Sequence, residues 1–385
     1  MKRLILLGGG HSQLAVLERL ARSPVADHEV VLVSPARHAV YSGMVPGWIA
    51  GGYRFEDCRI DLQPLAQSAR VRHVEARAVA LEPEERRVSL DDGTALEYDL
   101  LSIDVGSTAA TAGIAGAEHA IALRPIEALP GKLDAFDEGV RAGRIRRIAV
   151  AGAGAAGVEV LFTLLHRART KLGTALDATL VADTGGLLPG HGERARNLAS
   201  RELARLGVQT RFDLALREVA PEGIVLADLR RPAALPVRIA ADAVILATGA
   251  APHAWLSASA LVRDDRGFIA TDTRLRSVSH PGVFASGDCA TVLTHPRPKS
   301  GVYAVRQGPV LAENLLSALS GGPLREFSWP DRALAILNLG DGRAIASWRR
   351  LAVKGRWVWC WKDRLDRGFV GRYRYGDQKA RQAAQ

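Results

Sequence analysis

Two glycine-rich turns, each at the end of a short apolar run, constrain this 385-residue chain more than any other feature. The first is Leu4-Ile5-Leu6-Leu7-Gly8-Gly9-Gly10-His11-Ser12-Gln13. The second is Ile148-Ala149-Val150-Ala151-Gly152-Ala153-Gly154-Ala155-Ala156-Gly157-Val158-Glu159. Each apolar run reads as a buried parallel strand, and each glycine cluster as the point where that strand turns into a helix. A diphosphate reaches the free N–H groups of a helix N-terminus only where no Cβ holds it away. The second turn is complete, with Gly152, Gly154 and Gly157 in place; in the first, Gln13 stands where a third glycine would let helix and strand pack closely. One such turn suggests one dinucleotide. Two suggest an enzyme that passes electrons between a bound flavin and a nicotinamide.

The chain is long enough for two domains and a small appendage, and with 48% hydrophobic residues it reads as globular. Cys58, Cys289 and Cys360 are widely spaced, with no Cys-x-x-Cys and no metal-ligand spacing, so a reducing compartment and no metal site are expected. Met1-Lys2-Arg3 and the four aliphatics after it are too short for a signal peptide. No run has the length that crosses a bilayer. A cytoplasmic location is therefore expected, with contact at the inner face of a membrane left open. The net charge of +10 favours anionic partners such as nucleotides or acidic lipid. No recognition module points to nucleic acid.

Strand, glycine turn and helix recur in the order of an α/β doubly wound fold. Residues 29–34 form a second buried strand ending in Ser34, where a dinucleotide fold usually supplies an acid to the ribose; that contact must rest on Ser34 or on Arg37. Residues 71–103 read as a meander ending in Asp99-Leu100-Leu101-Ser102-Ile103-Asp104-Val105-Gly106, and a near-copy returns at Asp242-Ala243-Val244-Ile245-Leu246-Ala247-Thr248-Gly249. Such repetition fits two related nucleotide-binding domains in tandem. Residues 123–143 read as a connecting helix. Residues 178–183 form the second strand of the second domain and end in Asp183, an acid suited to the adenosine ribose diol, with no arginine directly after it. NADH is thus preferred, with NADPH open as an alternative.

At this point the residues resemble a family. The marks are Tyr41-Ser42-Gly43-Met44-Val45-Pro46-Gly47, Gly282-Val283-Phe284-Ala285-Ser286-Gly287-Asp288, and Pro298-Lys299-Ser300-Gly301-Val302-Tyr303-Ala304-Val305-Arg306-Gln307-Gly308. With the two turns, they resemble the pyridine nucleotide-disulfide oxidoreductase superfamily. Within it the chain is most similar to type II NADH dehydrogenase-like proteins, in the branch also found fused to selenide, water dikinase. The resemblance implies two Rossmann-like domains, one inserted in the other. An FAD domain would span 1–120 and 251–322, an NAD(P)H domain 121–250, and a Trp/Arg-rich region 323–385. It places FAD against Gly8, Gly10, His11, Ser42, Gly106, Gly287 and Asp288, with the helix beginning at Gly301 and Val302 aimed at the flavin pyrimidine. It places NADH at Gly152, Gly154, Gly157, Asp183 and Gly249. Glu159, Lys299 and Gln307 become candidates for work at the flavin. The redox cysteine pair of the disulfide reductases has no counterpart, so direct hydride transfer to flavin and on to a quinone-like acceptor is expected. A small electron-carrier protein is the alternative acceptor, and a slow redox-sensing role in selenium metabolism a third reading.

The C-terminal composition shifts to Trp329, Trp348, Trp357, Trp359 and Trp361 among arginines. On a helix, Trp357, Trp361, Leu365, Gly368 and Phe369 fall on one face, with Lys362, Asp363 and Arg367 away from it. That face suits a membrane interface, docking on the flavin domain, or a dimer contact.

Overall fold

The computed structural model describes residues 1–328 and 333–374. Trp329 lies outside the described residues. The elements that matter for the site are, in chain order, β1 (Lys2–Leu7), α1 (His11–Arg22), β2 (His28–Ser34), β3 (Arg72–Glu75), β4 (Leu100–Ile103), β5 (Ile121–Ala122), β6 (Arg147–Ala151), α2 (Ala155–Lys171), β7 (Asp177–Val181), α3 (Glu193–Arg205), β8 (Gln209–Arg211), β9 (Ala243–Leu246) and β10 (Val283–Ala285). They are followed by α4 (Gly301–Ser320), β11 (Ala335–Asn338), β12 (Ala344–Trp348), β13 (Leu351–Gly355) and α5 (Arg356–Arg372).

Two five-stranded parallel sheets result, ordered β10-β4-β1-β2-β3 and β5-β9-β6-β7-β8. In each, the strand that feeds the glycine turn lies at the centre. Buried on both faces, such strands read as unbroken apolar runs, and Leu4 to Leu7 and Ile148 to Ala151 are all buried. Each sheet also carries a three-stranded antiparallel meander directly before the strand flanking its centre. One runs through Ala78–Glu82, Arg87–Leu90 and Ala95–Glu97, the other through Leu214–Ala220, Gly223–Asp228 and Val237–Ala240. The chain enters the second sheet at β5 and closes the first with β10, so the second unit sits inside the first.

The connecting helix spans Leu129–Arg141, shorter than the 123–143 read from sequence. Pro125 and Pro130 confine it: proline fits only the first turn of a helix, and Pro130 takes that position here. Asp137 on this helix pairs with Arg167 of α2 at 2.5 Å, and Arg167 also donates to the Ile49 carbonyl at 3.0 Å. Both side chains are buried, and Arg167, held by Asp137, ties the second unit to the first through the Ile49 carbonyl.

The C-terminal unit is an antiparallel sheet, β11-β12-β13, followed by α5. Buried Glu202 of α3 grips it through Lys354 at 2.5 Å and Arg343 at 3.1 Å. The face of α5 differs from the sequence reading. Val358, Lys362, Asp366 and Val370 face inward, while Trp357, Trp361 and Leu365 are exposed at 59%, 39% and 49%. The reason is that Lys362 meets partners inside: its ammonium donates to the Gly43 carbonyl and to Asp366, both at 2.7 Å. Phe369 goes inward with it and stacks on Tyr41, centroids 4.4 Å apart. Among the described residues, no helix is long and apolar enough to cross a membrane.

Candidate functional site

Both glycine turns leave the C-terminal ends of the central strands β1 and β6, where ligands bind in open parallel sheets. Gly8 has φ +96°, and a Cβ on it would lie 2.3 Å from the Asp104 carbonyl oxygen. Gly152 has φ +118°, and its Cβ would lie 2.1 Å from that of Ala247. Only glycine satisfies both the left-handed backbone and the close approach. A Cβ on Gly157 would lie 2.0 Å from the Gly152 carbonyl, which is the close helix–strand contact a third glycine permits. In the first turn, buried Gln13 instead donates from Nε2 to the carbonyl (2.9 Å) and hydroxyl (3.1 Å) of Ser102. A side-chain tie thus replaces bare backbone packing.

The mouths of the turns differ as well. Around the Cβ position of Gly154 nothing lies within 4 Å. Around that of Gly10, the Asp104 carboxylate lies at 2.2–2.4 Å. Asp104 is 2% exposed and accepts from the Ser12 amide at 2.8 Å and the Gln13 amide at 3.4 Å, capping α1 from the neighbouring strand end. Burial, first, and the nearby charge of Asp288 raise its pKa to about 7, against the two amide bonds that lower it.

Past β10, the Gly287 amide donates to Gln307 Oε1 at 2.8 Å, so Gln307 fixes the turn that presents Asp288. Asp288 pairs with Arg124 at 2.8 Å, and Arg124 also donates to the Ser107 hydroxyl at 2.7 Å. Burial raises the Asp288 pKa, while Arg124 and then Lys299 oppose the shift. Lys299 does not stand free. Its ammonium donates to the Ala290 carbonyl and, at 2.7 Å, to Thr291 Oγ1, and lies 3.9 Å from the centroid of the Phe268 ring. Burial lowers its pKa to about 8. A cavity lined by Gly287, Asp288, Lys299, Ser300, Tyr303 and Gln307 opens here.

The start of α4 comes against the first turn. A Cβ on Gly301 would lie 2.8 Å from Ser42 Oγ and 3.6 Å from His11 Nε2, and Ser42 and His11 are 3.4 Å apart. Val302 is the next residue of that first turn of helix. Burial lowers His11 to about 4, so it is neutral at physiological pH. His11 lies 5.4 Å from the Tyr41 ring, which Phe369 of α5 covers. Gly106 and Gly249 take matching positions after β4 and β9, with φ +69° and +103° and open space around both.

Other sequence candidates have commitments of their own. The Ser34 hydroxyl donates to the Ala36 carbonyl at 3.0 Å, and Arg37 forks onto Asp61 with a shortest contact of 2.7 Å. Asp183 is exposed in the loop after β7, on the second unit and apart from the flavin-side residues. Glu159 turns toward the C-terminal unit and accepts the Asn338 amide at 2.7 Å. Burial raises its pKa to about 7, with Lys362 pulling it down and Asp366 up.

Sequence reasoning missed Asp104, Arg124, Lys362 and Asp366. The pairing of Ile103-Asp104-Val105-Gly106 with Leu246-Ala247-Thr248-Gly249 held the signal for Asp104, an acid where the copy has alanine. The other three depend on partners far along the chain. Among the described residues, no cluster of three His, Cys, Asp or Glu could hold a metal. The two cradles a Cβ would fill, each facing a helix N-terminus, fit two dinucleotides.

Comparisons with known proteins agree with this fold. The sequence profile of the pyridine nucleotide-disulphide oxidoreductase family matches residues 2–308. An NADH dehydrogenase-like protein of Mycobacterium tuberculosis is 26% identical over 309 residues, covering 77% of this chain and 75% of that protein. Among solved structures, the sulfide:quinone oxidoreductase of Aquifex aeolicus superposes with a TM-score of 0.84 at 18% identity, over 98% of this chain and 92% of that one. NDH2 of Plasmodium falciparum, solved with NADH, gives 0.81 at 13% identity, over 96% and 97%.

Proposed function

From the premise that this chain belongs to the pyridine nucleotide-disulphide oxidoreductase family and is an FAD-dependent NAD(P)H oxidoreductase, we propose that it oxidises NADH and delivers the electrons to a quinone-like acceptor without a redox disulfide. A bound FAD would supply two-electron chemistry between the nicotinamide and the acceptor. The first turn, Asp288 and Arg124 would hold it, and the second turn and Asp183 would hold NADH. The α4 N-terminus would supply positive potential to a reduced flavin held beside it. Glu159, its pKa near neutral, sits at the start of α2 as a group that can hold or release a proton.

The observation that carries the acceptor is the wall beside His11 and Ser42. There, α5 lays Phe369 on Tyr41, and this aromatic stack supports a quinone ring as the acceptor. The cysteines support direct transfer: Cys58 is buried in the larger core cluster, Cys289 in another, and Cys360 is exposed. Burial pushes the Cys58 and Cys289 thiols up to about 12, far from a reactive thiolate. The outer face of α5 with the β12–β13 hairpin exposes Trp348, Leu351, Trp357, Trp361 and Leu365 beside Arg356 and Arg364, which supports peripheral contact with an anionic lipid surface.

The test is to reduce the holoenzyme anaerobically with one equivalent of NADH and mix it with a short-chain ubiquinone or with a small disulfide. Rapid flavin reoxidation by the quinone and none by the disulfide is expected; the reverse order would sink the reading. Sedimentation with phosphatidylglycerol vesicles, reduced at least fivefold in a Trp357→Ser, Trp361→Ser variant, tests the lipid contact.

A further inference from the structure

The two turns are copies in topology, yet one has a buried acid across its mouth and the other does not. Asp104 follows β4 as Ala247 follows β9. Its carboxylate takes the Ser12 and Gln13 amides of α1, and it occupies the space over Gly10 that is open over Gly154. These amides belong to the helix N-terminus that a diphosphate approaches. A buried carboxylate and a diphosphate that is doubly negative cannot both be charged there without a cation between them.

Among the described residues, no cation pairs with Asp104 itself. From α1 it faces the two amides, and His11 of the same turn is kept neutral by burial. From the turn after β10 it faces Gly287, Asp288 and the Cys289 thiol, and Asp288 is a like charge. The positive groups of the neighbouring turn, Arg124 and Lys299, are engaged at Asp288 and at Ala290 with Thr291. We propose that Asp104 is a cofactor-binding residue of the flavin half that works in its acid form, donating its proton in a hydrogen bond to the FAD diphosphate. Binding of FAD then takes up a proton, while the nicotinamide half, with Ala247, binds its dinucleotide without one. The inference rests on FAD being the cofactor of the first turn.

The test reads affinity and not turnover. Holoenzyme diluted into buffers from pH 6 to 9 releases FAD, whose fluorescence gives the dissociation constant. The affinity is expected to weaken by about tenfold per pH unit above about 7, the slope of one linked proton. Asp104→Asn, which keeps the shape and a donor, is expected to remove that slope and to hold FAD at pH 9 as tightly as the parent does at pH 6. Binding of ADP-ribose to the second turn is expected to stay flat in both proteins. A flat profile for the parent, or an unchanged slope in Asp104→Asn, would overturn the proposal. A parent that binds no FAD at any pH would instead overturn the flavin assignment on which it stands.

Discussion

The first glycine turn and the second share a strand order, a flanking meander and a positive-φ glycine pressed against the next strand end. Among the positions where they part, two set the packing of helix on strand. Gly157 is Gln13 in the first turn, and Ala247 is Asp104. Both exchanges put a polar side chain between α1 and β4 where the second unit has only backbone and a methyl group. The same fold thereby makes one cradle that is closed and internally hydrogen-bonded and one that is open. A closed cradle suits a cofactor that stays, an open one a nucleotide that arrives and leaves with each turnover. The contrast follows from side-chain chemistry, with Gln13 and Asp104 foremost, and not from topology.

The largest effect expected from breaking the flavin half is at Asp288. Asp288→Ala removes the carboxylate presented by the Gly287 turn and strands Arg124, which is expected to weaken FAD binding at least a hundredfold; the visible spectrum of the purified variant checks it. ADP-ribose binding at the second turn should survive. Next are paired glycine substitutions. Gly10→Ala drives a Cβ into the Asp104 carboxylate and should cost about 1–3 kcal/mol as overpacking, read as a lowered Tm. Gly154→Ala points into open space, so its Tm should stay near the parent while NADH affinity falls about tenfold or more. Adding Asp104→Ala to Gly10→Ala should restore much of the lost stability, which would tie the cost to that one contact.

A smaller effect is the pH dependence of stability. Without flavin, the folded protein keeps a proton on Asp104 from the ordinary carboxylate range up to about 7, while the unfolded chain loses it near 4. The native state then binds more protons than the unfolded one, so stability falls as pH rises through that window. In Asp104→Asn this part of the fall should vanish, and the difference in Tm between pH 5 and pH 8 should shrink. An unchanged difference would mean that Asp104 is not the group that titrates.

Much of this was legible in the sequence because the determining residues are local. Gly8, Gly152 and Gly157 announce their turns through the runs before them, and Gly287 with Asp288 ends a strand that can be read without its neighbours. What stayed hidden depends on distant partners. Lys362 looks like a solvated residue of an amphipathic helix until its ammonium meets the carbonyl of Gly43, 319 residues earlier. That contact, with Asp366 beneath it, turns α5 around and sends the tryptophans outward. Arg124 sits in a linker with no motif, and only the crossing of the chain into β5 brings it onto Asp288. Lys299 and Gln307 are read from the sequence as candidates for work at the flavin; their observed contacts fix the loop and the turn that carry Asp288.

The central claim is that the open cradle brings a nicotinamide to a flavin held by the closed one. Anaerobic titration of the purified protein with NADH, and separately with NADPH, while recording the flavin spectrum, tests it most directly. Stoichiometric bleaching by NADH, faster than by NADPH, is the predicted result. A yellow protein that neither nucleotide reduces, or a colourless one that FAD cannot reconstitute, would contradict it.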